Sequence, residues 1–316
     1  MFFSLYGKIA QKQAQQLWGI TFMRISILTA LFFVYGCVST DAPDHDEPVV
    51  APEARVYELE GEDIIIIGDQ GTGTSTQFEV ANGIERWCTG KSCDFGIGLG
   101  DNFYFFGVRS STDNQFVTKF EKPYKNLNFP FYMTLGNHDY FGNFQAQLDY
   151  TGKGSGKWHM PHRYYKLSTP KADIFILDIE RFDLGQQDWL DAEIADSAAF
   201  SAPKWRIVLS HRPTWSSGSH GDTEQVIKLI LPILKKSKAD FYLSGHDHHL
   251  EHIQRDGMDF FISGSAGQTS SITPGKYSKF AKSTPGFMYM DFSEGAVDVS
   301  FVNRKAEVLY TKRFEK

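Results

Sequence analysis

Five short apolar runs in this chain each stop on a glycine or serine, and each is followed at once by side chains able to bind a metal. Ile64-Ile65-Ile66-Ile67 leads into Gly68-Asp69-Gln70-Gly71. Phe95 to Leu99 leads into Gly100-Asp101-Asn102-Phe103-Tyr104. Residues 131–135 lead into Gly136-Asn137-His138-Asp139, and residues 207–209 into Ser210-His211. Residues 241–243 lead into Ser244-Gly245-His246-Asp247-His248. Short runs rich in β-branched and aromatic residues, bounded by Gly, Asp or Pro, predict buried strands. In open α/β sheets, sites form just beyond the carboxyl ends of the strands. Five strands therefore carry Asp, Asp with Tyr, Asn with His, His, and a His pair to one edge. Glycines beside these residues allow the tight turns that aim side chains.

Helical patterns lie between many of the strands. Residues 77–87 place Phe78, Ala81, Ile84 and Trp87 on one face, and residues 113–124 put Phe116 and Phe120 four apart. Residues 185–198 carry Trp189, Leu190 and Ile194. Residues 222–238 hold Val226, Ile227, Ile230 and Leu234, with Asp222 as the expected cap and a kink expected at Pro232. Alternation of strand and helix predicts an α/β sheet covered on both faces. The end differs: residues 260–263, 287–292, 297–302 and 306–311 read as strands without helices. No short-period repeat is present.

The chain has 316 residues, 41% of them hydrophobic, enough for one large core. The net charge of −6, without a long Lys/Arg run, excludes a nucleic-acid backbone as partner, because that binding needs many cationic contacts.

From Met23 the sequence reads as an export signal: Arg24, about ten apolar residues over 25–35, a small residue and Cys37. The apolar stretch is too short to span a bilayer comfortably. Residues 34–37, VYGC, resemble a bacterial lipoprotein box, in which the cysteine is lipidated and begins the mature chain. Plain secretion and an uncleaved anchor are the alternatives, and translation starts at Met1 or Met23. The expected organisation is a signal segment at 1–37, a proline-rich acidic tether at 38–54 and a catalytic domain at 55–316. The expected location is periplasmic or outer-membrane, attached through the lipid. With Cys37 lipidated, Cys88 and Cys93 remain as a candidate disulfide closing a short loop in an oxidising compartment. Two free thiols near a helix end are the alternative.

Taken singly, the strand-end residues mean little. An Asp after a strand usually caps a turn, a lone Tyr is usually core or rim, and GHDHH could be a surface cluster. GTGTS after Asp69 lacks the lysine of a phosphate loop. Taken together and in order, they predict a metal site.

The ordered set GDxG, GDNFY, GNHD, strand-Ser-His and GHDH resembles the metallophosphoesterase superfamily. GDNFYF, with its tyrosine, resembles the purple acid phosphatases, specifically the small tartrate-resistant branch. The likeness runs over about residues 64–267 and includes YFGNFQAQLDY, KWHMPHRYYKL and HRPTWSSGSHGD. It implies an α/β fold (α+β by some schemes): a β-sandwich of two mixed sheets flanked by helices, with the metal site at the strand C-terminal edge. It implies an acid phosphatase that hydrolyses phosphate monoesters by attack of a metal-bound hydroxide. Asp69, Tyr104 and His248 would hold Fe(III); Asn137, His211 and His246 would hold a divalent Fe, Zn or Mn; Asp101 would bridge. A phenolate is a hard anion suited to a trivalent ion, and its charge transfer to iron colours the family purple. The ligand anions and a hydroxide leave a small positive excess on the metal pair, which favours an anionic phosphate.

His138 and His220 match family positions that touch substrate. They are expected to bind phosphate oxygens and to protonate the leaving alkoxide, with His138 as an orienting residue and His220 as a loop residue the alternatives. Asp139 and Asp247 are expected to hold histidine rings or cap turns. His159, His162, His249 and His252 receive no role. Two departures stand out. Gln70 replaces the Trp usual in mammalian members, so the substrate rim is expected to differ. Residues 178–184 are short where those members carry a long loop whose cleavage raises activity, so no proteolytic activation is expected. The substrate is a phosphorylated small molecule or phosphoprotein. Rival functions are a diesterase or nucleotide hydrolase, a single-metal zinc hydrolase and a non-catalytic surface binding protein.

Overall fold

The computed structural model describes residues 55–199 and 204–316. The signal segment, Cys37 and the tether at 38–54 lie outside the described residues. Two mixed sheets face each other. The first has seven strands in the spatial order Val308–Glu315, Ala296–Asn303, Gly286–Ser293, Ile64–Ile67, Phe95–Gly98, Phe131–Met133, Trp158–His159. Its last four strands run parallel and its first three are antiparallel. The second has eight, in the order Val56–Glu58, Tyr165–Ser168, Ala172–Ile176, Trp205–Leu209, Phe241–Ser244, Met258–Ser263, Leu250–Arg255, Ser278–Lys282. Its central four, from Ala172–Ile176 to Met258–Ser263, are parallel.

The four isoleucines at 64–67 explain the layering. Successive strand side chains point to opposite faces. Ile64 and Ile66 enter the core between the sheets, beside Ile97, Ile174, Ile207 and Met288. Ile65 and Ile67 face outward, under Val80, Ile84, Phe116 and Phe120. Both faces are covered, so the strand reads as a continuous apolar run. On the far side, Phe175, Val208 and Tyr242 pack under Leu190, Val226 and Ile230. Each fully buried side chain of this size contributes about 1.5–3 kcal/mol.

Several sequence expectations change in detail. Helix Ser75–Gly90 buries Val80, Ala81 and Ile84, while Phe78 is only half-buried. Gly83 takes a core place there because a Cβ would meet the Arg304 carbonyl oxygen at 2.6 Å. The helix expected over 113–124 is a short helix, Asn114–Phe116, capped by Asp113 and continued as a π-helix, Val117–Glu121. Asp222 does not cap helix Glu224–Ser237; Thr223 precedes it, and Asp222 instead accepts from the Ser216 N–H at 3.0 Å. That helix runs through Pro232. The last strand begins at Val308, because Ala306 turns the chain at φ 63°. Strands Leu250–Arg255 and Ser278–Lys282, which the sequence pattern did not reveal, complete the second sheet. Cys88 and Cys93 are joined as a disulfide.

Candidate metal centre

The parallel strands of both sheets end at one edge, and the expected donors meet there. Three of them sit on backbone that non-glycine residues rarely adopt: Asp69 at φ 59°, Asp101 at φ 54° and His246 at φ 68°. Such positions cost on the order of 1–3 kcal/mol each and persist where surrounding bonds hold them. Asp69 N–H donates to the Gly100 carbonyl at 3.0 Å, and His246 N–H donates to Asp69 Oδ2 at 2.8 Å. The neighbouring glycines allow this closeness. A Cβ at Gly136 would fall 2.3 Å from Asp101 Oδ1, and one at Gly245 would fall 2.5 Å from Asp69 Oδ2.

Tyr104 is the centre of one half. Its hydroxyl lies 2.9 Å from Asp69 Oδ1, 2.9 Å from Asp101 Oδ2 and 3.0 Å from His248 Nε2. The other half gathers around His211. Its Nε2 lies 3.2 Å from Asn137 Oδ1, 3.2 Å from His246 Nδ1 and 3.4 Å from Asp101 Oδ1. The carboxylate of Asp101 and the rings of His211 and His246, all buried, bring ligand atoms within 4.8 Å of one another. Asp101 reaches both halves. The structure therefore brings all seven expected ligands together.

The donor chemistry fits cations. Burial works against a charged His211, but Asp101 outweighs it and pushes the imidazole up to about 10. Burial pushes Asp101 up, but His211 and the His138 backbone N–H bring it well below the usual carboxylate range. Burial, with Asp69 and Asp101 close by, drives the Tyr104 phenol far above its ordinary value. Burial lowers His246 to about 2, helped by His211, Arg212 and His220. Opposite shifts in one buried cluster mark a place where protons are shared among ligand atoms, and a metal ion can take over their role.

Partners behind the ligands orient them. His211 Nδ1 faces the Leu99 carbonyl oxygen at 2.8 Å, which turns Nε2 inward. Arg212 forks onto Glu180, Nε to Oε1 at 2.6 Å and Nη2 to Oε2 at 3.2 Å, and sets Nη1 3.1 Å from His246 Nε2. Gln268 Nε2 stands 3.4 Å from His248 Nε2. Sequence reasoning missed Arg212, Glu180 and Gln268. The signal for Arg212 was its place directly after a ligand; the other two carried none.

His138 and His220 lie at the mouth. His138 packs its ring 4.5 Å from that of Tyr104 and faces the Phe105 carbonyl oxygen through Nδ1 at 2.8 Å. Its Nε2 comes within 3.9 Å of Asp101 Oδ2. His220 lies 4.3 Å, ring to ring, from His246. Asp247 holds its Nδ1 at 2.9 Å and its backbone N–H at 3.1 Å. Asp247 thus orients a histidine. Asp139 caps a turn instead, accepting from the Gly136 N–H at 2.8 Å and the Asn102 N–H at 3.1 Å. Two of the unassigned histidines have structural partners: His249 pairs with Glu251 at 3.0 Å and His252 with Asp259 at 2.8 Å. Gln70 is not a rim residue. It is 1% exposed and donates to Asn102 Oδ1 at 2.8 Å.

The same architecture recurs among known proteins. The Calcineurin-like phosphoesterase family matches residues 63–250. Tartrate-resistant acid phosphatase type 5 of Rattus norvegicus is 30% identical over 78% of this chain and 88% of that protein. Purple acid phosphatase 3 of Arabidopsis thaliana is 31% identical over 78% of this chain and 75% of that protein. The solved structure described as GAP50, the anchor in the inner membrane complex of Plasmodium, superposes with a TM-score of 0.70. It is 26% identical and is matched over 80% of this chain and 88% of that one. The fold is a metallophosphoesterase sandwich and the activity that of a phosphate-ester hydrolase: this chain belongs to the calcineurin-like phosphoesterase family, on its purple acid phosphatase branch.

Proposed function

We propose that the chain is an acid phosphatase that hydrolyses phosphate monoesters at a dinuclear Fe(III)–M(II) centre, M being Fe, Zn or Mn. The observation that carries this reading is the Tyr104 hydroxyl placed within 3.0 Å of Asp69, Asp101 and His248. Two carboxylates, an imidazole and a phenol form a hard, anionic donor set, which suits a trivalent ion. Asn137, His211 and His246 offer an amide and two imidazoles, which suit a divalent ion. Asp101 would hold both. Two cations so placed would lower the pKa of bound water and neutralise charge on the phosphoryl oxygens.

The chain's own residues do the rest. His138 and His220 stand on the open side and can donate to phosphate oxygens or to the departing alkoxide. Phe105 and Asp247 hold their Nδ1 atoms, so each presents Nε2 to a bound ester. Asp247 fixes the tautomer of His220, as carboxylate–histidine pairs do. Retention of all seven ligand residues argues against a purely non-catalytic binding role.

The test is a pH–rate profile of the metal-loaded protein on an aryl phosphate monoester and the matching diester, with metal analysis. Monoester preference, an acidic optimum and iron in the protein are expected. Diester preference or an alkaline optimum overturns the monoester reading, and absence of iron overturns the assignment at Tyr104.

The natural substrate in this reading is a phosphorylated small molecule or phosphoprotein outside the cytosol. Export is supported by the apolar stretch over 25–35 and the box ending at Cys37, and by the Cys88–Cys93 disulfide, which suits an oxidising compartment. Mass spectrometry of the membrane-fraction protein checks lipid attachment at Cys37.

A further inference from the structure

Away from the metal ligands, Trp215, Ile253, Arg255, Lys276 and Tyr277 line a cleft of about 290 Å³. Arg255 is the last residue of strand Leu250–Arg255, whose other end adjoins the ligand His248. Strand residues rise about 3.3 Å each, so roughly 16 Å separates Arg255 from Leu250. The Arg255 guanidinium carbon lies over two rings, 3.6 Å from the centre of Trp215 and 4.7 Å from that of Tyr277. A guanidinium stacked this closely directs its N–H bonds outward from the edge of the stack. Among the described residues those N–H groups make no hydrogen bond. Their ion pair with Asp256 is long, 3.9 Å from Nε to a side chain 71% exposed, and such pairs contribute little. Lys276 has no acidic partner among the described residues; its Nζ lies 5.2 Å from the Tyr277 ring. One acid, Asp222, lines the cleft, and it accepts from the Ser216 N–H at 3.0 Å.

We propose that this cleft is a second anion site, which binds a phosphate-type dianion through Arg255 and Lys276, apart from the metal centre. The edge of a guanidinium matches two phosphate oxygens at once. Stacking between Trp215 and Tyr277 sets that edge in place beforehand, so little side-chain freedom is lost on binding. The walls are set as well. Gly275 N–H donates to Ser217 Oγ at 2.9 Å, and Gln254 N–H donates to the Tyr277 carbonyl at 3.0 Å, which ties together the three segments that form the cleft. Two cations against one lining acid favour a dianion over a single carboxylate. Inorganic phosphate and the head of a phosphate ester share this chemistry. The site stands on the cleft alone and does not depend on the phosphatase reading.

Titration calorimetry of the metal-loaded protein with inorganic phosphate, at fixed ionic strength, tests the proposal. The wild type should show two phosphate sites per chain, one at the metals and one in the cleft. Arg255→Gln should weaken the second by about tenfold or more, as loss of hydrogen bonds to a charged group does. Arg255→Lys should restore only part of it, because an ammonium lacks the fork. Lys276→Gln leaves the Arg255 stack in place and should weaken the second site several-fold. A single site in the wild type, or a second site unmoved by Arg255→Gln or by Lys276→Gln, overturns the proposal. Methylphosphonate separates the sources: equal affinity at the cleft supports an ester-borne head, and weaker affinity supports free phosphate. Absence of phosphate at the metals counts against the phosphatase reading and leaves the test of the cleft standing.

Discussion

The Tyr104 hydroxyl lies 2.9 Å from Asp101 Oδ2, three residues back along the chain. The chain turns at once after strand Phe95–Gly98, so a strand-end carboxylate and a phenol meet in a buried place. Burial and the carboxylates of Asp69 and Asp101 hold the phenol far above its usual pKa, so only a strong cation displaces its proton. Tyr104→Phe should abolish the visible charge-transfer band of the iron-loaded protein. The fold should survive: loss of one such hydrogen bond costs about 1 kcal/mol, or roughly 2–4 °C in Tm. Absorption spectra and thermal melts check both. A coloured variant would count against phenolate ligation.

Asp101 touches both halves of the cluster, at Tyr104 and His211. Asp101→Asn should therefore reduce bound metal from two ions toward one or none and abolish turnover together, as metal analysis and phosphatase assay would read. Normal turnover with two ions retained would refute a bridge.

Asp247 accepts from His220 through one oxygen and from the Ser216 hydroxyl through the other. Asp247→Asn should leave metal content intact and lower kcat by about 10²-fold, at the lower end of what a positioned acid contributes. Adding His220→Ala should cost little more, because the two act as a unit. Additive losses would show that Asp247 acts elsewhere.

Glu251 is fully buried and ties the loop that carries His220 to its surroundings. It accepts from the Ser217 N–H at 3.0 Å and the Ser278 hydroxyl at 2.5 Å and faces His249 Nε2 at 3.0 Å. Burial raises its pKa, but its bonds to His249, Ser278 and Ser217 outweigh that and bring it below the ordinary 4.5. A carboxyl depressed on folding adds stability that is complete above the unfolded value and drains away as pH falls through the folded one. The melting temperature should thus decline as pH drops below about 4.5. Glu251→Gln should be less stable at neutral pH, by roughly 1–3 kcal/mol, with a shallower decline of its melting temperature in acid. Parallel melting curves for the two proteins would refute this.

The segment 178–184 is short and pinned. Arg163 pairs with Asp178 and Asp183, each at 2.8 Å, Glu180 takes the Arg212 fork, and Tyr140 bonds to Asp178. Mild proteolysis of the purified protein should not raise its activity. Activity assays and gels before and after protease treatment test this, and a several-fold rise would overturn it.

The strands and the side chains released at their ends were legible because both are local. A run such as 64–67 carries its own burial pattern, and the residue after it is its neighbour by covalent connection. Roles that depend on distant partners were less legible. Gln70 stands where mammalian members carry Trp, which placed it at the substrate rim, yet Asn102, 32 residues away, draws it into the interior. Asp222 looked like a cap by spacing, but the loop's own fold gives it the Ser216 N–H. The Arg212–Glu180 fork behind His246 spans 32 residues and leaves no periodic trace.

Sequence alone determined which donors this protein owns and in what order its strands release them, since apolar periodicity and turn glycines act within a few residues. Tertiary structure decided what each donor faces. Sheet pairing set Tyr104 against Asp69 and Asp101, turned His220 onto Asp247, and left Phe105 and Phe141 uncovered beside His138. Those outcomes depend on contacts between segments far apart in the chain, whose geometry exists only once both sheets have packed.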